Sequence, residues 1–237
     1  MSKAHRKGAC AYCGSDSNLT ADHVIARSFF IEEHRGNLPI VSSCNTCNNE
    51  KSKLEGILVT ILQFGSKAQP SAQIIQSTYR RLEKNRALDR KLTSSLAIEQ
   101  VAGALQITVD GDQGALESLC EYIVKGLTLH LWNKNIGEKW KVRASFLTKD
   151  SSDFYDQYFV NFKDRVVLNN YGDGIFKYEV IRDDPRLNID IWKISWMKGA
   201  EYTGDPEMPN FKTSNLYVFS GPEDSAALAR IVKDLDG

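Results

Sequence analysis

The sequence predicts an α+β protein: a cysteine-pinned strand–strand–helix unit, then helices, then a mainly antiparallel sheet. Three observations predict it. Two Cys-x2-Cys pairs, Cys10/Cys13 and Cys44/Cys47, bracket a stretch with two short strand-like runs and precede a helix-periodic one. Apolar residues then recur at steps of three and four through about 72–132. From about residue 139 the period becomes two, rich in aromatic and β-branched side chains.

Four sulfurs in two such knuckles make the closed tetrahedral set that structural Zn²⁺ prefers. One pair alone could equally be buried thiols or a redox Cys-x-x-Cys; two pairs at matching spacing favour the metal. Tyr12 lies inside the first knuckle, and Cys13-Gly14-Ser15 turns the chain after it. Cys120, in the apolar helical run LCEYIVKGLTLHLW, reads as a core residue rather than a fifth ligand.

Between the pairs, Leu19–Ile25 predicts a strand carrying Asp22-His23, and Leu38–Val41 a second one. Ser43 is a candidate N-cap for a helix in which Leu54, Ile57, Leu58 and Ile61 share a face. Helices follow over about 72–132, with a break near Asn85 and a buried helix from about Gly114 to Trp132. Within that helix Gly126 and His130 read as packing residues. Strands are expected at 142–146, 155–162, 166–168, 174–181, 189–197 and 216–219, with turns at 109–112, Gly172-Asp173-Gly174 and Asp184-Pro185. A last helix spans about 225–235.

The chain has 237 residues, 42% of them hydrophobic, with 30 basic and 30 acidic side chains. That suffices for a sizeable core and speaks against wholesale disorder. No apolar run approaches the ~20 residues of a membrane helix. The start, MSKAHRKGAC, has no hydrophobic segment behind it, so a cytoplasmic location is expected and no membrane partner. The zero sum hides an asymmetry: residues 1–100 carry 14 basic and 9 acidic groups, residues 101–237 carry 16 and 21. A polyanion could be held by the first part. The basic cluster RRLEKNRALDRK (80–91) alone reads as a solvated helix face.

The composite of CAYC, DHVIARS, GNLPIVSSC and CNTCNNEKS, from Cys10 to about Lys53, resembles the HNH endonuclease family and its ββα-metal finger. The resemblance implies an HNH module over residues 1–66 with a four-cysteine zinc site. The α+β remainder, 67–237, would then bind a target or partner. It implies that Asp22 and Asn48 hold a catalytic Mg²⁺ or Mn²⁺, that His23 is the general base and that Asn37 orients it. Asn49 is the alternative to Asn48 if the helix register differs by one. A His often stands where this chain has Asn48, so the chain corresponds to a His-Asn-Asn variant. Lys51 and Arg27 are candidate phosphate contacts. His34, Glu32, Glu33 and Arg35 read as solvated loop residues, and His5 as part of a frayed terminus.

The activity so implied is metal-dependent phosphodiester hydrolysis, with DNA the substrate by resemblance and RNA open, in a bacterial defence or phage and mobile-element setting. A zinc-stabilised module that binds nucleic acid or protein without cutting is the alternative. The acidic C-terminal half favours a protein partner or self-association over a lone grip on DNA.

Overall fold

The computed structural model describes residues 8–64, 72–101, 104–109, 113–137, 140–184, 187–198, 200–203 and 212–236. The turn expected at 110–112, Pro185, His5 and the expected boundary at 66–67 lie outside them.

The N-terminal unit is strand–strand–helix. β1 (Leu19–His23) pairs antiparallel with β2 (Ile40–Cys44), with Leu19 opposite Cys44 and His23 opposite Ile40. Two short 3-10 turns, Arg27–Phe29 and Glu32–His34, fill the loop between them. β2 runs directly into α1 (Asn45–Phe64), so Ser43 is a strand residue and not the cap. Leu58, Val59 and Leu62 of α1 face the core.

α2 (Ala72–Lys84) and α3 (Arg86–Ser95) meet at Asn85, where the break was expected. The expected helical stretch then ends early: Leu96–Val101 and Ala104–Val109 are strands β3 and β4, paired antiparallel. In that pairing Ile98 stands opposite Ile107 and Val101 opposite Ala104, and β-branched residues such as Ile98, Val101, Ile107, Thr108 and Val109 are strand formers.

α4 (Gln113–Trp132) is the central helix. Leu119, Cys120, Ile123, Val124 and Leu127 are all fully buried. It packs on α1 and β2 on one side and on the large sheet on the other. His130, expected in the core, is instead exposed on its last turn, where the helix emerges into solvent.

The large sheet has five antiparallel strands in the order β5 (Trp140–Ser145), β11 (Asn215–Pro222), β8 (Asp190–Trp196), β7 (Phe176–Ile181), β6 (Val166–Tyr171). β9 (Tyr202–Thr203) and β10 (Lys212–Thr213) form a separate short pair. Alternation sorts the sheet into two faces. Trp192, Ile194, Tyr178, Val180 and Val218 join the core that holds α4 and the N-terminal unit. Ile181, Ile191, Tyr217 and Phe219 join a second core with α5 (Lys149–Asn161) and α6 (Ala226–Asp236). With both faces covered, β8 and β11 are buried almost throughout.

α5 corrects an expectation, since 155–162 reads as a strand by its aromatic content. Thr148 caps the helix, its hydroxyl accepting the Ser151 N–H at 3.4 Å. Tyr155, Tyr158, Phe159 and Phe162 then fall at helical steps against the sheet. The Gly172-Asp173-Gly174 turn closes the β6–β7 hairpin with three successive positive φ angles, 63°, 54° and 89°.

Candidate functional site

The cysteine cluster is assembled by backbone pairing. Ala11 N donates to Ser42 O at 2.9 Å, laying the first knuckle on β2, and Cys10 N donates to Ser15 O at 2.7 Å, closing its turn. Cys44 ends β2 and Cys47 lies in the first turn of α1. The four Sγ atoms all lie within 4.8 Å of one another, with Cys13 and Cys44 at 3.7 Å. A disulfide needs about 2.05 Å. Four thiolates about 2.3 Å from a tetrahedral ion stand about 3.8 Å apart. The spacing therefore fits a metal ion such as zinc and excludes a disulfide between Cys13 and Cys44 in this arrangement. Burial pushes the Cys47 and Cys13 thiols up, and hydrogen bonds among the sulfurs push Cys47 further. At Cys10 burial acts upward too, but backbone N–H groups of Cys44, Cys13 and Tyr12 outweigh it and lower the thiol. Tyr12 N lies 3.4 Å from Cys10 Sγ. Among the described residues no second group of three or more His, Cys, Asp or Glu side chains converges.

The Asp22-His23 pair ends β1, against the first two turns of α1. Lys51, on α1, is fully buried, although the sequence suggests a phosphate contact. Its ammonium donates to the His23 carbonyl at 2.8 Å, touches Asp22 Oδ2 at 3.1 Å and bonds Glu55 Oε1. Its three donors are thus engaged inside the protein, which leaves none for a phosphate in this arrangement. Tyr12 OH donates to the same Asp22 oxygen at 2.5 Å. Asp22 is 8% exposed, and Oδ1 takes neither of these bonds. Burial drives the Tyr12 phenol well above its ordinary value, helped by the Asp22 charge, so it stays a donor. Burial likewise raises Glu55 to about 7 against the pull of Lys51.

Adjacent strand residues point to opposite sides. Asp22 turns inward, while the His23 side chain is half-buried. Burial lowers the imidazole below its ordinary value and the Arg27 charge adds to that; Asp22 opposes it. Neutral imidazole at neutral pH can accept a proton. Arg27 is exposed in the 3-10 turn four residues on, within electrostatic reach of His23. Asn48 is half-buried, one helical turn before Lys51 on the same side of α1. Asn37 lies exposed in the turn before β2, and no hydrogen bond joins its side chain to His23. Asn49 is exposed.

The structure thus brings Asp22, Lys51, the His23 carbonyl and the Cys10 knuckle into one patch, and Asn48 stands one helical turn before Lys51 on α1. Tyr12 and Glu55 are site residues that sequence reasoning missed. Glu55 had a signal: charges at 51 and 55 stand four apart on the helix face that continues as Leu58 and Leu62, where apolar residues belong. Compared with known proteins, the chain matches no family model, no curated protein and no solved structure. What the fold and site define is an α+β protein with a four-cysteine cluster able to hold a metal ion, clamping a strand–strand–helix unit.

Proposed function

We propose that the chain is an HNH-type, metal-dependent endonuclease that hydrolyses phosphodiester bonds, with DNA the substrate favoured by resemblance. The observation that carries the reading is the placement of His23. The end of β1 offers a partly exposed imidazole, held neutral by burial and Arg27, beside a buried carboxylate and the first turns of a helix. His23 takes the proton from the attacking water. Asp22, through Oδ1, and the amide oxygen of Asn48 are the donor set for a hard divalent ion that keeps most of its waters. Such an ion, Mg²⁺ or Mn²⁺, would supply positive charge against the negative charge that builds on the phosphate and its leaving oxygen. Arg27 offers its guanidinium to a phosphate oxygen next to the base. The cysteine cluster is structural, its zinc holding β2 and α1 to the first knuckle.

The test is incubation of the purified protein with supercoiled plasmid, single-stranded DNA and RNA, with and without Mg²⁺ or Mn²⁺. Cleavage should need the divalent ion, and His23→Ala should lower it by about 100- to 10,000-fold, the usual worth of a general base. Folding and bound zinc should be unchanged in that variant. Equal cleavage by wild type and His23→Ala removes the base assignment.

One observation favours a second reading, a binding module that does not cut. Asp22 Oδ2 is already satisfied by Tyr12 and Lys51, so the carboxylate has a structural use of its own. Retention of DNA or RNA without any product, at every divalent ion tried, decides for that reading.

A further inference from the structure

We propose that Lys51, with Tyr12, Asp22 and Glu55, forms a positioning device for His23 that ties the base to the cysteine cluster. This inference rests on the endonuclease reading for its catalytic meaning.

The connection can be followed atom by atom. Tyr12 sits between the two sulfurs of the first knuckle, with its backbone N–H 3.4 Å from Cys10 Sγ. Its ring is fixed edge-on against Tyr122, with centroids 5.1 Å apart and planes at 84°. Its hydroxyl holds Asp22 Oδ2 at 2.5 Å. The same oxygen meets Lys51 Nζ at 3.1 Å, and Lys51 grips the His23 carbonyl at 2.8 Å. Glu55 Oε1 accepts a further N–H of the ammonium from one turn along α1.

Two features separate this from an ordinary buried ion pair. First, a lysine with no exposed surface is rare and costs much desolvation, so its three donors need acceptors. One of those acceptors is a main-chain carbonyl, that of the residue carrying the base. Strand pairing already fixes the adjacent residue, since Val24 N donates to Pro39 O at 2.9 Å. The Lys51 bond holds the opposite edge of that same peptide, the His23 carbonyl, so both polar groups of the unit that follows the base are engaged just where β1 ends. Second, the network runs between the metal knuckle and the base. A rigid cluster at one end therefore sets the imidazole direction at the other. Supporting partners of this kind usually matter about 10- to 100-fold in activity.

The experiment compares wild type, Lys51→Met, Tyr12→Phe and Glu55→Gln as full-length, zinc-loaded protein. Lys51→Met is the strongest perturbation and is the variant at risk of not folding. Tyr12→Phe keeps the ring and loses only the hydroxyl, so it is the variant that keeps the idea testable. Three quantities are read: bound zinc, kcat and KM for plasmid cleavage with Mg²⁺, and the ¹³C signals of the His23 carbonyl and ring. The expected result is full zinc, unchanged KM, kcat lowered about 10-fold in Tyr12→Phe and more in Lys51→Met, and shifted His23 carbonyl and ring signals. A folded Lys51→Met or Tyr12→Phe protein with native kcat and native His23 signals overturns the proposal. So does a fall in kcat accompanied by equal loss of zinc, which assigns the network to metal retention alone. If the wild-type protein cleaves nothing, the endonuclease reading fails by itself. The His23 signals then decide the positioning role: shifted in the variants they uphold it, unshifted they end it.

Discussion

Asp190 opens β8 with no exposed surface, its Oδ1 accepting the Asp183 N–H at 2.8 Å. Its other oxygen has no hydrogen-bond partner among the described residues. Burial raises this carboxyl to about 6, partly offset by the Asp183 amide and by the charges of Lys134 and Arg182. In the unfolded chain it titrates near 3.8. Between those values the folded protein keeps a proton that the unfolded one releases, so stability falls as pH rises through the window. Above pH 6 the full cost applies, at most about 3 kcal/mol at about 1.4 kcal/mol per pH unit. Asp190→Asn keeps an acceptor for Asp183 and carries no charge. It should raise Tm at pH 8 and flatten the pH dependence between pH 4 and 6. A Tm–pH profile in the variant that coincides with that of the wild type shows that the carboxyl is already compensated. The same scale explains what was legible at the site. Cysteines at fixed spacing announce their chemistry, and Asp22-His23 stands out inside them. Lys51 was visible, but its direction was not. Whether a lysine faces phosphate or a carbonyl depends on which side of α1 meets β1, and that is a tertiary fact.

At the scale of elements, local period and local composition competed, and the reading failed where composition won. Tyr155, Tyr158, Phe159 and Phe162 are good strand residues by type but sit at steps of three, one and three, which is a helix face. The deciding signal was upstream, in Thr148 with Ser151 three residues on. At β3 and β4 the opposite holds: the helical period of the preceding residues extends to Leu96, where the chain instead turns into a paired strand. Strands β5, β7, β8 and β11 are legible because apolar and polar residues alternate with period two along β5 and β7, and aromatic and β-branched residues dominate β8 and β11. Thr148→Ala removes the side-chain acceptor of the Ser151 N–H and should cost about 1 kcal/mol of stability, read as a lower urea midpoint with unchanged m-value. A midpoint identical to wild type shows that tertiary packing alone specifies α5.

At the scale of the whole molecule, the N-terminal unit is not an appendage. Val24, Phe29 and Phe30 belong to the same core as α4 and the sheet tryptophans. Phe29 and Trp196 have ring centroids 4.9 Å apart. A Cβ on Gly172, in the β6–β7 turn, would come within 2.5 Å of the Phe30 ring. Removing metal from the cysteines should therefore lower the stability of the shared core rather than melt a detached finger. Cys44→Ser, losing a ligand of a site typically worth about 10 kcal/mol or more, should shift a single thermal transition seen by tryptophan fluorescence. A wild-type tryptophan transition in that variant means that the two parts fold independently.

Gly126 is where this coupling is tightest, and two opposing effects can be weighed there. It lies inside α4, where replacing Gly by Ala ordinarily gains about 1 kcal/mol of helix propensity. A Cβ at that position would stand 2.8 and 2.9 Å from the two methyls of Val24, the residue after His23. Val24 is fully buried in a β-branched rotamer with little freedom to turn away. Overpacking of this kind costs about 1–3 kcal/mol. The clash therefore outweighs the propensity gain, and Gly126→Ala should be destabilising by up to about 2 kcal/mol. Because the strain falls on the residue adjoining His23, the proposed cleavage activity should also weaken. Val24→Ala opens the space that the new methyl needs, so the double variant should be more stable than the sum of the two single changes. A purely additive double-mutant cycle would show that α4 and the end of β1 do not press on one another, and with that the mechanical link between the central helix and His23 is lost.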